Sequence, residues 1–307
     1  MGWRGADSLT KVRQMTTEAQ VATVRRFNRS YTQRIGALDD SFLGLDMPLA
    51  TARLLFEVGS RPATVQALRA RLGLDSGYLS RLLRRLEEHG LVQVAPDPDD
   101  RRRRMVTLTP AGRLRWEDLD RRSAQRAMSL IEPLSERHRA RLASALAEAD
   151  LLVRAATVEI AEVEPTAEPA RAAVGQYFAE IRERFGFDAT GLDEKDAEQL
   201  RTPSGAFVLA SSDGEPVACG GLQTIATGIG EIKRMWVDPR WRGGGLGARL
   251  LRQLENRSRQ LGHGTIRLDT NQTLHEAIAM YESVGYRRVE RYNDNPYATH
   301  FFEKSLS

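Results

Sequence analysis

The sequence holds one cysteine, Cys219, in 307 residues, so an internal disulfide is impossible and the disulfide-stapled secreted scaffolds are excluded. Lysine is almost as scarce, at 4 residues against 41 arginines, and with such a bias a single arginine means little until its position in an element is known. No run reaches the roughly 18 consecutive apolar residues of a membrane span. The first 30 residues carry scattered charges without the apolar stretch of a signal peptide. A cytoplasmic location and no membrane partner are therefore expected. The five histidines stand at no recurring ligand spacing, so no metal is expected. Internal repeats and low-complexity tracts are missing as well.

What is present is an ordinary globular composition, 41% hydrophobic and 28% charged, in a chain long enough for two domains with separate cores. The charge is divided. Residues 1–160 hold 27 Lys and Arg against 20 Asp and Glu, while residues 161–307 hold 18 against 21. The first half is thus expected to meet a polyanion and the second is not.

Apolar residues at three- and four-residue steps predict helices at Thr16–Leu38 and Pro48–Gly59, then two short ones at Ala63–Leu72 and Ser76–His89. The intervening "GLDSG" combines a glycine stop with an Asp/Ser start, so the short helices join through a tight turn. Alternating runs at Leu91–Ala95 and Met105–Leu108 bracket "PDPDDRRRR", a hairpin with a long polar tip. Helix returns from Ala111 to about Glu159, interrupted near Pro133. "AEVEPTAEPA" lacks periodicity and places a linker at 161–169. Beyond it, a helix at Ala170–Phe185 precedes strands at Ala206–Ser211, Pro216–Thr224, Glu231–Val237, Thr265–Asp269 and Arg287–Tyr292. Helices are predicted at Gly245–Leu261 and Leu274–Val284, which makes this half α/β or α+β.

The strand "EIKRMWV" runs through "DPRWRGGGLG" into a helix that keeps Leu246, Leu250, Leu251 and Leu254 on one side. The first N–H groups of a helix have no intrahelical partner, and the helix dipole adds positive character there, so such an end attracts phosphate. Glycines admit a ligand close to the backbone, and Arg240 and Arg242 could add ionic contacts. The bland alternative is a glycine-rich strand-to-helix turn. No Lys-Ser/Thr follows as in a P-loop, and no acidic residue suits a Rossmann ribose site.

The run Arg242-Gly243-Gly244-Gly245-Leu246-Gly247-Ala248, together with "LDTNQTLHEAIAMYESVGYRRVERY", resembles the GCN5-related N-acetyltransferases (GNAT) across roughly Arg171–Ser307. The resemblance implies an acetyl-CoA-dependent N-acetyltransferase acting on a primary amine, either a small molecule or a protein lysine. It implies that backbone N–H groups of Arg242–Gly247, with Ala248 beside them, hold the pyrophosphate of coenzyme A. Met235, Trp236 and Val237 then belong to the strand that receives the pantetheine arm, which Asn271 meets from the other side. Tyr281 is implied as general acid for the leaving thiolate and Glu231 as base for the acceptor ammonium. Their plain alternatives are an aromatic packed beside Val284 and Tyr286 and a solvated strand-end carboxylate. Tyr177, Phe178, Arg182, Arg184 and the loop "YNDNPYA" are candidate borders of the acceptor pocket. Cys219, in the strand "PVACGGL", reads as a packed thiol and not as a nucleophile.

In the first half, "SGYLSRLLRRLEEHGLV" puts Leu79, Leu82, Leu83 and Leu86 on one face and leaves Ser76, Tyr78, Ser80, Arg81, Arg84 and Arg85 on others. Such a helix fits a major groove, or is a surface helix with solvated arginines. The hairpin tip adds Arg101–Arg104 where a flanking minor groove would lie. This region resembles the MarR winged helix-turn-helix regulators across about Thr16–Glu159. The resemblance implies a homodimer, built from the first and last helices and reading double-stranded DNA, with Arg101 or Arg103 in the minor groove and Asp99 and Asp100 bracing the wing. The expected architecture is two domains, a mainly α winged helix-turn-helix at 1–160 and a GNAT α/β fold at 170–307. Alternatives are a regulator whose second half only senses acyl-CoA or an amine, and an enzyme whose first half is a dimerisation scaffold.

Overall fold

The computed structural model describes residues 5–98, 100–186 and 194–306, and within 5–16 only the backbone. The chain divides into two compact units, Met1–Arg141 and Leu142–Ser307.

The first unit opens with α1 (Gly5–Arg34), followed by α2 (Leu49–Ser60), a two-residue strand β1 (Ala63–Thr64), α3 (Val65–Leu72) and α4 (Ser76–Glu88). Strands β2 (Val92–Pro96) and β3 (Arg104–Leu108) lead to α5 (Pro110–Ile131) and α6 (Glu136–Thr157). Capping chemistry sets the turn between α3 and α4. Gly73 ends α3 at φ 61°, and the Asp75 carboxylate caps α4 by accepting the Tyr78 N–H at 2.8 Å. The core gathers Leu79, Leu82, Leu83 and Leu86 of α4 against Leu54, Leu55 and Leu68. Each such side chain contributes roughly 1.5–3 kcal/mol on burial. The small sheet has the order β1-β3-β2, all antiparallel, which is a winged helix-turn-helix. The two-residue β1 lies inside the stretch read as helix from Ala63, too short to leave a periodicity of its own.

The second unit carries a seven-stranded sheet. Its elements are β4 (Glu159–Glu162), α7 (Glu168–Phe185), α8 (Glu194–Gln199), β5 (Gly205–Ser212), β6 (Glu215–Ala226) and β7 (Ile229–Val237). They continue with α9 (Leu246–Gln260), β8 (Thr265–Thr270), α10 (His275–Ser283), β9 (Arg287–Val289) and β10 (His300–Ser305). The strand order is β4-β5-β6-β7-β8-β10-β9, with β7 and β8 the parallel pair. The leucine side of α9 is fully buried against strands β5 to β8.

The expected linker at 161–169 and domain start at 170 require correction. The units part between Arg141 and Leu142, inside the residues of α6, and Glu159–Glu162 pairs with β5 as the edge strand of the sheet. A four-residue edge strand is exposed on most positions and so lacks the alternation that reveals a buried strand. The last strand, β10, is likewise absent from the sequence reading, although it lies between β8 and β9 and buries Phe301 and Phe302.

Candidate functional site

The parallel pairing of β7 and β8 runs only from Ile229↔Thr265 to Ile232↔Leu268. Beyond that pair the strands diverge. A bulge opposite Gly220 and a left-handed Arg234 (φ 51°) bend β7 just past the fork. The separation opens a cavity of about 530 Å³ walled by Tyr177 and Phe178 of α7, Met235 of β7, Asp269 at the end of β8, and Tyr281 of α10.

At the far end of β7 the Asp238 N–H donates to the Val217 carbonyl at 2.9 Å, opposite the register pair Ala218↔Val237. Successive residues of an antiparallel strand turn their polar groups to opposite edges, so Val237 presents its N–H and C=O to the edge that β8 has left. The carbonyl accepts from Arg242 Nε at 3.0 Å. The N–H faces the opened cleft.

The glycine turn follows directly. Gly243 and Gly245 adopt φ 83° and 79°, with open space where a Cβ would stand. At Gly244, in contrast, a Cβ would lie 2.9 Å from Ala155 Cβ, and at Gly247 it would lie 3.1 Å from Met280 Sδ. Two glycines thus serve the backbone path and two serve close packing. Among the described residues, no acceptor meets the N–H groups from Gly243 to Ala248. The result is a row of donors at the N-terminus of a 15-residue helix, beside the open cleft.

The loop is supported by the last turns of α6. The Arg249 guanidinium donates to the Ala155 carbonyl and, at 3.3 Å, to that of Val158, while Arg154 lies 4.7 Å from the Trp241 ring centroid.

Several sequence-assigned roles change. Arg242 donates to Glu180 at 2.7 and 2.6 Å as well as to the Val237 carbonyl, so its guanidinium fastens the loop to α7. Arg240 is held by Asp238 at 2.7 Å, and its hydrogen bond keeps the Asp238 carboxyl below the usual range. Trp236 points away from the cleft into a cluster with Phe207 and Leu209, its indole N–H on Glu180 at 3.0 Å. Leu246 is buried and offers only its backbone. Asn271 lines the cavity, but its amide donates to the Tyr297 carbonyl at 2.7 Å and its oxygen accepts the Thr273 N–H at 3.0 Å. An asparagine past a strand end is a natural turn former, and here that role occupies its side chain. Arg182 and Arg184 do not line the cavity, whereas Asn295, Tyr297 and Ala298 do.

Tyr281 is buried beside Tyr286 and Phe302, as its packing alternative holds, yet its ring also lines the cavity and its hydroxyl lies 3.8 Å from Met235 Sδ. Burial pushes the phenol's pKa up, so it keeps its proton across the neutral range. Burial likewise pushes Tyr177 and Cys219 up to about 12 each, and the Cys219 thiol is fully enclosed.

Glu231 is not solvated. It is 3% exposed and accepts from Gln223 at 2.8 Å, Asn293 at 3.0 Å and Lys233 at 3.0 Å. Lys233 also donates to Asp269 at 2.9 Å, and Asn293 bridges to the same Asp269 oxygen at 2.6 Å. Lys233 and Asp269 are the first residues past the fork, one on each diverging strand. Sequence reading missed both, because neither charge has meaning until β7 and β8 are known to be neighbours.

In the first unit, α4 exposes Ser76, Ser80, Arg81, Arg84 and Arg85 opposite its leucine face, with Tyr78 half-buried under Arg81 at 5.6 Å. At the hairpin tip Asp100 accepts the Arg102 N–H at 3.1 Å and pairs with Arg103 at 3.3 Å. Asp99 lies outside the described residues. Arg101 through Arg104 are all exposed.

The acetyltransferase (GNAT) family model matches residues 173–286 and the MarR family model matches 45–103. An IAA acetyltransferase from Azospirillum brasilense is 32% identical over 145 residues, 45% of this chain and 94% of the relative. A putative acyl-CoA N-acyltransferase from Klebsiella pneumoniae is 31% identical, with a TM-score of 0.41 over 50% of this chain and 99% of that one. An Escherichia coli MarR mutant complexed with operator DNA is 25% identical, with a TM-score of 0.36 over 42% of this chain and 93% of that one.

Proposed function

We propose, for a chain that belongs to the acetyltransferase (GNAT) family through its second unit and to the MarR family through its first, that it is a cytoplasmic, bifunctional DNA-binding regulator and acetyl-CoA-dependent N-acetyltransferase. The observation that carries the enzymatic part is the row of unpartnered N–H groups from Gly243 to Ala248 at the mouth of the forked strands. A diphosphate needs such donors and no side chain in the way, and the open space at Gly243 and Gly245 meets the second condition.

In this reading acetyl-coenzyme A supplies the acyl group as a thioester. The loop Arg242–Ala248 binds the diphosphate, and Met235, Val237 and the Asn271 turn line the channel for the pantetheine arm. The Val237 N–H stabilises negative charge developing on the acyl oxygen. An ammonium cannot attack, so a proton must first pass to the Glu231–Lys233–Asp269 network. The nitrogen lone pair then forms the C–N bond as the C–S bond breaks. The Tyr281 phenol gives its proton to the departing sulfur and regains the second proton of the nitrogen. One proton leaves overall.

For the first unit, α4 is the recognition helix, with Ser76, Tyr78, Ser80, Arg81 and Arg84 toward the bases and Arg101 or Arg103 in the minor groove. Asp100 already holds Arg103, which favours Arg101. A homodimer through this unit accounts for α1, where Val21, Val24, Phe27 and Tyr31 recur on one stripe while 40% to 59% exposed.

The test is a mass-shift assay of an amine library, including lysine peptides, with acetyl-CoA and the full chain. A product heavier by one acetyl group supports the transferase. Coenzyme A binding by calorimetry without any acetylated product would reduce the second unit to a sensor, and no binding at all would refute the coenzyme site.

A further inference from the structure

We infer, building on the transferase reading, that the acceptor is an apolar primary amine without a carboxylate of its own, and that Asp269, not Glu231, receives its ammonium.

Access comes first. Asp269 lines the cavity, whereas Glu231 lies behind it, enclosed at 3% exposure. Glu231 Oε1 accepts from Lys233 and Asn293 and Oε2 from Gln223, and whatever capacity Oε2 keeps is shut inside the wall, since Glu231 is not among the residues that line the cavity. Asp269 Oδ2 is similarly filled by Lys233 and Asn293, but Oδ1 accepts a single bond, from Asn295 Nδ2 at 3.1 Å. A carboxylate oxygen has room for two, so Oδ1 retains one acceptor position at the fork. Glu231 then acts as a positioning residue, holding Lys233 and Asn293 and through them the Asp269 carboxylate.

Charge comes second. Each cation lining the cavity is already paired among the described residues, Arg234 with Asp196 and Lys233 with both Asp269 and Glu231. Two carboxylates sharing one lysine leave the fork with a surplus negative charge. That surplus attracts an ammonium and repels a carboxylate attached to the neighbouring carbon.

The wall comes third. Tyr177, Phe178, Ile181 and Phe185 all project from α7 into the same cavity, with Tyr177 and Phe178 packed edge to face at 5.0 Å. An aromatic or branched apolar body is the complement of this surface.

The proton accounting follows. The ammonium gives one proton to Asp269 Oδ1, and the neutral nitrogen forms the C–N bond as the C–S bond breaks. The sulfur takes the Tyr281 proton, the nitrogen returns its second proton to that phenolate, and the Asp269 proton passes to solvent.

Two acceptors that differ only in an α-carboxylate, 2-phenylethylamine and phenylalanine, make the test on the full chain with acetyl-CoA. The expected result is a kcat/KM at least 100-fold higher for the amine. Asp269→Asn should lower amine turnover at pH 7 at least 100-fold, recover part of it near pH 10 where the free amine predominates, and leave coenzyme A affinity within about 2-fold. Glu231→Gln should lower kcat less than Asp269→Asn does. A preference for phenylalanine, or Asp269→Asn turning over the amine at pH 7 within a few-fold of wild type, would overturn the inference while leaving the transferase standing. Acetylation of neither compound nor of any other amine, with coenzyme A still bound, would overturn both.

Discussion

Gly244→Ala probes the junction between the glycine turn and the end of α6. No positive φ is required at this position, so the backbone tolerates alanine, and the damage must come from space. The added methyl would stand 2.9 Å from Ala155 Cβ and 3.2 Å and 3.3 Å from two Leu151 carbons. Carbon atoms rest at about 3.5–4.0 Å, so the loop or the helix must yield by roughly 0.5–1 Å. Overpacking of this kind costs about 1–3 kcal/mol. Movement of the loop also misdirects its donors, and a loss of about 1.4 kcal/mol there is a tenfold weaker coenzyme A affinity. Ala155→Gly alone should cost about 0.5–1 kcal/mol as a helix glycine, yet in the Gly244→Ala background it should restore part of the loss. The double-mutant cycle, read by urea unfolding and by coenzyme A calorimetry, should therefore give a favourable coupling of about 1 kcal/mol. Gly245→Ala is the control. Its Cβ meets nothing, so its cost of about 1–2 kcal/mol is backbone strain that Ala155→Gly cannot relieve. Strict additivity of Gly244→Ala and Ala155→Gly would refute the packing argument.

Three further expectations follow from the same geometry. Tyr281→Phe should lower turnover far more than coenzyme A affinity, because the ring keeps its packing while the proton donor is lost; a variant with wild-type kcat removes the phenol from the mechanism. Arg84→Ala should weaken duplex binding by about 1–3 kcal/mol at matched salt, and an unchanged titration curve rejects base contact by this residue. His263 is buried between Ser258 and Thr224, each 2.9 Å from a ring nitrogen, and desolvation lowers its pKa below the unfolded 6.5. The unfolded chain therefore holds more protons than the folded one as pH falls through 6.5, and stability declines with pH until the folded value is passed. His263→Gln should flatten that slope in unfolding midpoints measured from pH 7.5 to 5, and a slope that persists would assign it to other groups.

Much of the site was legible because its signals are local. The leucine spacing of α4 and its Asp75 cap, the hairpin with its arginine tip, and the glycine turn leading into α9 all report on residues within one or two turns of each other. Glu231 and Tyr281 were also singled out, each on an element whose period is clear, and the structure sets Tyr281 in the cavity wall and Glu231 behind it. Their surroundings were not legible. Glu231 reads as a strand-end carboxylate because its partners Gln223 and Asn293 come from other segments, 8 and 62 residues away, and Lys233 on the same strand gains its meaning only beside Asp269. Arg242 reads as a phosphate ligand because Glu180 lies 62 residues away. Asn271 reads as a ligand group because its bond to Tyr297 spans 26 residues.

Periodicity, caps and turn chemistry, all properties of neighbouring residues, determined most helices and strands, with α8 and β10 among the exceptions, and the place where a helix end could grip an anion. The order of strands and the point where β7 and β8 part were decided only in the folded chain, since both depend on which distant segments bury against one another. The pairing of β7 with β8 brings Lys233 and Asp269 together at 2.9 Å where the strands part, and the docking of the α6 end on Gly244 moves the second unit's beginning to Leu142, because Ala155 and Val158 find their partners only in the packed core.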